Sequence, residues 1–224
     1  HSGCRRGIAR MIDLYTYPTP NGRMVSIMLE ECGLDYTTHV VDIRAGVHHD
    51  PEYRKINPNE KIPAIVDQDG PEGKPIRVFE TGAILPYLAE KSGRFRGNDL
   101  VTKLECSQWL SLVTTGLSPT IIQFFYFSFQ AEGQASDEVI AFGCQRYKDE
   151  MLRLVGVLDF RLREYEYLAK TYTVADMAAY AWIVRHGAYG FSLDDYVGVL
   201  NWYKRLSKRP AVQRGIEVPP SPTA

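Results

Sequence analysis

The chain has 224 residues, 45% of them apolar and 24% charged, with a formal net charge of -1, the make-up of an ordinary globular protein with room for one large core or two modest ones. Its lysines and arginines are scattered, which argues against nucleic acid as a partner, and no apolar run is expected to approach the eighteen or so residues that span a bilayer, the longest candidate, Val174 to Val184, being interrupted by Asp176. The four cysteines, Cys4, Cys32, Cys106 and Cys144, show neither a CxxC nor a metal-ligand spacing, a pattern that suits reduced thiols and a cytoplasmic setting.

Residues 1–10, HSGCRRGIAR, are basic but lack an apolar stretch, so they read as a leader or cloning remnant before Met11 rather than a secretory signal. From 11 to 92 short apolar strands alternate with helices. Ile12 to Tyr15 reads as a strand; Thr19-Pro20-Asn21-Gly22 then opens a helix with Thr as N-cap and Pro in its first turn, and Gly33 closes it. Tyr36 to Val41 is a second strand, Gly46 to Asn57 a loop or short helix, and Lys61 to Val66 a third strand entered through Pro63. Gly70 to Pro75 has turn chemistry and Ile76 to Phe79 is a fourth strand. Glu80-Thr81-Gly82 begins a helix through Leu88 that Pro86 should bend.

A polar connector, Gly93 to Asn98, leads into a helical region covering 99–216. A long helical stretch runs from Asp99 to about Phe129, Ala131 to Ser136 is a break, and Tyr147, Met151, Leu154, Leu158 and Leu162 recur at helical spacing. Thr173-Val174-Ala175-Asp176 resembles a capping box before a helix apolar on nearly every side, the expected centre of this domain. A last helix runs from Val197 to Lys208 before Pro210, and 217–224 read as a loose, proline-rich tail.

Three segments carry chemistry, and each also reads as plain capping or turn structure. Around Thr19 and Asn21, a hydroxyl and an amide sit at a helix N-terminus, which stabilises negative charge and lowers a nearby thiol's pKa. Pro63 beside Lys61 can be cis and would expose backbone to a peptide-like ligand. Glu80 and Thr81 meet another helix start, where a carboxylate and free N–H groups grip the ammonium and carboxylate of an amino acid. Their order, after the first βα unit, before strand three and after strand four, is more specific than any one of them.

In that order the chain resembles the glutathione transferase family from Met11 to about Gly215, nearest to the nu class and the fungal Ure2-like proteins. The resemblance rests on IDLYTYPTPNGRMVSIMLEE, NPNEKIPAIVD and FETGAILPYLAEKSG. It implies an α/β thioredoxin-like N-terminal domain followed by an all-α helical bundle, in a homodimer. By the same resemblance Thr19 and Asn21 hydrogen-bond the glutathione sulfur, Ile62 and cis-Pro63 pair with the cysteinyl backbone, Lys61 meets the glycyl carboxylate, and Glu80 and Thr81 hold the γ-glutamyl end. Arg146 matches a ligand-facing arginine and equally reads as a surface residue. His48 replaces a glutamine that touches the ligand in similar proteins. His48 and His49 side by side make a poor metal site, so no metal is expected.

Tyr15 and Tyr17 are further candidates against the sulfur, Thr19 with Asn21 being favoured by the motif. The protein offers no CxxC, so disulfide reduction must borrow its thiols from glutathione. The expected function is a glutathione-dependent transferase or disulfide reductase acting on a hydrophobic electrophile or a small disulfide. Glutathione disulfide is a further expected ligand, and the aromatic segment Ile121 to Phe129 is expected to wall the second site in part, with at least half of its rings filling the helical core or the dimer interface. A glutathione-binding regulatory or structural protein on the same fold, or a biosynthetic transferase, is the alternative.

Overall fold

The computed structural model describes residues 11–221; the proposed leader at 1–10 lies outside them. A sheet of order β2-β1-β3-β4 is built from β1 (Ile12–Thr16), β2 (Tyr36–Val40), β3 (Ala64–Asp67) and β4 (Ile76–Phe79). β2 runs parallel to β1, as a crossover through helix α1 (Pro20–Cys32) requires, whereas β3 is antiparallel to both β1 and β4. With the short α2 (Pro51–Arg54) and with α3 (Thr81–Ser92) this is a thioredoxin-like arrangement. In β1, Ile12, Leu14 and Thr16 are buried while Asp13 and Tyr15 occupy the opposite face, so one strand face packs on α1 and the other stays partly open.

Helix α1 begins and ends where its punctuation places it. Thr19 is extended and accepts from the Gly22 N–H, Pro20 occupies the first turn, and Gly33 stops the helix at φ 65°. In this half two boundaries differ from the sequence reading by more than one residue. β3 starts at Ala64 rather than Lys61, because Pro63 has no N–H for the ladder, and the Ile62–Pro63 bond is cis. α3 runs past Leu88 to Ser92 with Pro86 inside it, since Leu85, Leu88 and Ala89 are buried and hold the final turns in place.

The helical part comprises α4 (Leu100–Ser111), a π-helical segment (Leu112–Leu117), α5 (Ser118–Phe129), α6 (Asp137–Glu164), α7 (Val174–Ile183), α8 (Val197–Leu206) and α9 (Pro210–Ile216). Pro119 cannot donate to the Thr115 carbonyl, and the widened turn before it accommodates the ring. The expectation that no apolar stretch approaches a bilayer span is corrected here: by length and composition alone, Leu100–Phe129 is long and apolar enough to cross a membrane. One stripe of it packs into the bundle: Cys106, Leu110, Val113, Leu117 and Ile121 are buried at helical spacing, while Lys103, Glu105 and Gln108 stand among exposed apolar residues on the other faces.

α7 is buried along all ten residues and forms the centre of the bundle. Asp176 accepts from the Thr173 N–H (2.9 Å), the Leu168 N–H (3.0 Å) and the Trp202 indole N–H (2.9 Å), so one carboxylate caps α7 and ties down two neighbouring segments. The sequence reading ended the last helix before Pro210, yet Pro210 opens α9, which packs on α1. The tail is also anchored further than expected: the Val218 carbonyl lies 3.3 Å from Ser26 Oγ on α1, and Pro219 is buried. One apolar cluster runs from Ile12 through α1 and α7 to Val212, so α1 is shared between the sheet and the bundle.

Candidate active site

A cleft of about 630 Å³ opens where the start of α1 faces the bundle. Tyr17 to Asn21 form its floor, Ile43, Arg44, His48, Lys61 and Ile62 its sheet-side wall, and Ile121, Ile122, Phe125, Gln130, Trp182, Arg185 and Tyr189 its helical wall. The close approach at the floor requires glycine: a Cβ on Gly22 would lie 2.3 Å from Thr16 Oγ1 and 2.4 Å from the Tyr17 carbonyl.

Thr19 Oγ1 accepts from the Gly22 N–H at 3.2 Å, which is a cap, yet the hydroxyl proton stays available to a ligand. Asn21 is oriented from the other half of the molecule. The Ser118 hydroxyl donates to Asn21 Oδ1 at 3.1 Å, which leaves the Nδ2 donors for the cleft. The two tyrosines separate. Tyr17 lines the cleft, whereas Tyr15 stacks on His39 on the far face of the sheet, with ring centroids 4.6 Å apart.

Lys61 and Ile62 reach the cleft because the loop carrying them is held from beneath: the Lys61 carbonyl accepts from Tyr53 Oη and from Asn57 Nδ2, both at 2.6 Å. Pro63 is buried behind them. His48 also lines the cleft; desolvation, helped by the neighbouring His49 and Lys61, lowers its pKa. Its Nδ1 is buried and has no partner. His49 instead contacts Glu60 Oε2 at 2.8 Å.

Glu80 and Thr81 do not line the cleft itself. The pairing of Ala64 with Phe79 sets Glu80 next to cis-Pro63, at one end of the same surface. Glu80 holds a positive φ of 67°, a backbone strain that non-glycine residues sustain mainly at functional positions, and its Oε1 accepts from Asn59 Nδ2 at 2.9 Å. Arg146 lies outside the cleft, exposed in a separate depression with Phe142, Tyr147, Glu150 and Arg153, which is the surface position its sequence context equally allows. No cysteine lines the cleft.

Of the aromatic segment, Phe125 faces the cleft, Ile121 and Phe124 pack in or against the core, and Phe127 stacks on Tyr147 with centroids 5.7 Å apart and packs over Gly143, so the segment divides between site, core and the α5–α6 contact. Sequence reasoning missed Ser118, Trp182, Arg185 and Tyr189. Each belongs to the helical part, and nothing local marks any of them as facing a strand–helix turn about 100 or more positions earlier.

Residues 19–91 match the model of the glutathione S-transferase N-terminal domain. The disulfide-bond oxidoreductase YfcG of Escherichia coli is 38% identical over 92% of this chain and 94% of its own length. A glutathione transferase of Burkholderia graminis, solved with two glutathione molecules per subunit, is 38% identical with a TM-score of 0.86, over 94% of this chain and 89% of the other. A glutathione transferase of Pseudomonas putida, solved with one glutathione disulfide per subunit, is 37% identical with the same TM-score, over 96% and 94%. With the thioredoxin-like sheet, the helical bundle and this cleft, they show that the chain belongs to the glutathione transferase family.

Proposed function

We propose that the cleft binds glutathione and that the protein reduces disulfides through the thiolate of that glutathione. The observation that carries this is the floor of the cleft: a helix N-terminus presenting a hydroxyl and an oriented amide, in a pocket whose lining contains no cysteine. Donors and dipole favour the thiolate over the thiol, and the thiol itself must arrive with the ligand. The similarity to a disulfide-bond oxidoreductase and to transferases solved with glutathione or its disulfide supports the same reading.

The thiol proton of bound glutathione leaves to solvent. Its thiolate attacks one sulfur of the substrate disulfide; the S–S bond breaks, a mixed disulfide forms and the other half departs as thiolate. A second glutathione thiolate attacks the glutathione sulfur of the mixed disulfide, releasing glutathione disulfide and the remaining thiolate, so two glutathiones supply the two electrons. Thr19 and Asn21 act on the attacking sulfur, Ile62 and cis-Pro63 present backbone to the cysteinyl part, Lys61 meets the glycyl carboxylate with His48 beside it, and Glu80 and Thr81 hold the γ-glutamyl end.

The apolar wall of Ile121, Ile122 and Phe125 favours a second use of the same thiolate, conjugation to a hydrophobic electrophile. We place the chain with the nu class and Ure2-like proteins, in the cytoplasm, as a homodimer; exposed Phe129 and Phe142 on neighbouring helices supply apolar surface for a partner, and Arg146, beside Phe142, would act across that interface.

Thr19→Ala tests the reading. Loss of one charge-assisted donor should lower glutathione-dependent reduction of 2-hydroxyethyl disulfide about tenfold, and unchanged activity would overturn the assignment.

A further inference from the structure

The two walls of the cleft carry similar unmet chemistry although they come from different parts of the chain. On the sheet side, Arg44 and Lys61 have no carboxylate partner among the described residues, and His48 Nδ1 is buried without a hydrogen bond. On the helical side, Arg185 lies just past the end of α7, exposed and without an ion pair among the described residues. Three positions earlier, Trp182 lines the same wall and keeps its indole N–H buried and unpartnered. These two ring nitrogens are two of three such atoms among the described residues; the third, Arg23 Nε, belongs to a side chain that feels the charge of Arg185. No aspartate or glutamate lines the cleft.

Glutathione held as above places its glycyl carboxylate on the sheet-side cations. That leaves Arg185 unanswered, near a second cation, Arg23, whose charge Glu217 offsets. Bound glutathione thiolate is itself strongly anionic, so a second anion entering the cleft meets repulsion unless a cation waits on the opposite wall.

Resting on the glutathione reading, we propose that Arg185, with the Trp182 indole beside it, selects second substrates that carry a carboxylate, chiefly symmetrical disulfides with anionic ends. The carboxylate pairs with the guanidinium on the helical wall, and the substrate sulfur is thereby turned toward the floor where glutathione sits. The electron balance is that given above: two glutathiones are oxidised, and the anionic disulfide is reduced to two thiolates.

The test compares kcat/KM for 3,3′-dithiodipropionate and for 2-hydroxyethyl disulfide, chains of similar size with carboxylate or hydroxyl ends, alongside the affinity for glutathione alone. In Arg185→Ala the anionic-to-neutral ratio should fall about tenfold; Arg185→Lys should recover most of it, with the recovered part lost at high salt. Trp182→Phe, which keeps the ring bulk and removes the N–H, should lower the ratio about threefold. A ratio unchanged in Arg185→Ala overturns the proposal. So does a loss of glutathione affinity as large as the loss toward dithiodipropionate, because Arg185 would then belong to the glutathione site. A wild-type protein that binds no glutathione overturns the glutathione reading first, and this one with it.

Discussion

Ser118→Ala isolates the contact through which the bundle sets the chemistry at the sheet. Ser118 is 4% exposed, and its hydroxyl fixes Asn21 Oδ1 at 3.1 Å. Without it the amide can rotate and bring its oxygen, an acceptor, toward the glutathione sulfur, where a donor is needed. One such hydrogen bond is worth about 0.5–1.5 kcal/mol net. At 1.36 kcal/mol per pKa unit, losing it should raise the pKa of the bound glutathione thiol by about 0.4–1.1 units. Below that pKa the thiolate fraction, and with it kcat/KM for a disulfide, should fall about three- to tenfold at fixed pH. The deficit should close as pH rises past the new pKa. Thiolate absorbance of bound glutathione titrated against pH reads the shift directly, and Ser118→Thr, which restores a hydroxyl, should return the curve toward wild type. A titration unchanged in Ser118→Ala would show that Asn21 does not act on the sulfur in the orientation Ser118 imposes.

Gly22→Ala drives a Cβ into Thr16 Oγ1 and the Tyr17 carbonyl; we expect a loss of about 1–3 kcal/mol in urea melts together with weaker glutathione binding, because the displaced backbone is the floor of the cleft. Arg209→Met breaks the bidentate contact of Arg209 with Glu31, 2.6 and 2.8 Å. Glu31 is nearly buried but Arg209 is about a third exposed, so the cost should be about 2 kcal/mol rather than that of a fully buried pair. Asp176→Asn sets an amide NH2 where the carboxylate now meets only donors, which should cost about 1–3 kcal/mol. Burial holds the Asp176 carboxyl up at about 6 against the pull of those hydrogen bonds. Because this lies above the unfolded value of about 3.9, its contribution to stability is full below about pH 4 and is lost as pH rises through about 6. Denaturant midpoints across that window should show a slope in the wild type that Asp176→Asn removes.

What was legible in the sequence was local. Thr19-Pro20 and Gly33 bracket α1 because capping and φ preferences act over a few residues, and the capping box at Thr173 and Asp176 is of the same kind. The order of the Thr19, Pro63 and Glu80 segments needed no distance information either, since sheet register brings the last two together. α9 escaped because Pro210 is as good a helix opener as a terminator, and seven residues hold too few turns to display a period. The buried stripe of Leu100–Phe129 is diluted by exposed leucines, valines and phenylalanines on its other faces, so a linear scan sees neither a clean amphipathic pattern nor an unbroken apolar run.

Apart from Ile43 and Arg44 on the sheet-side wall, the residues that were not legible share a position in the chemistry. Thr19, Asn21, Lys61 and Ile62 sit on the half whose layout follows from strand and helix punctuation, and they are assigned to glutathione. Ser118, Trp182 and Arg185 sit on the half that meets them only through tertiary packing, and they act on the orientation of Asn21 or on whatever arrives beside glutathione. That division holds only if the halves keep one relative placement. The contacts of α1 provide it: Ser26 Oγ donates to the Gly215 carbonyl at 2.6 Å, Glu31 is clamped by Arg209 and receives the Tyr172 hydroxyl at 3.0 Å, and Met24 to Leu29 are buried in the common cluster. The helix whose N-terminus would stabilise the thiolate is therefore also the one that fixes the helical wall. Donors held in place before the ligand arrives need no reorganisation when charge develops. Substitutions at the rim, such as those at Arg185, can then change the second substrate without disturbing the sulfur site, whereas substitutions along the buried face of α1 should change both.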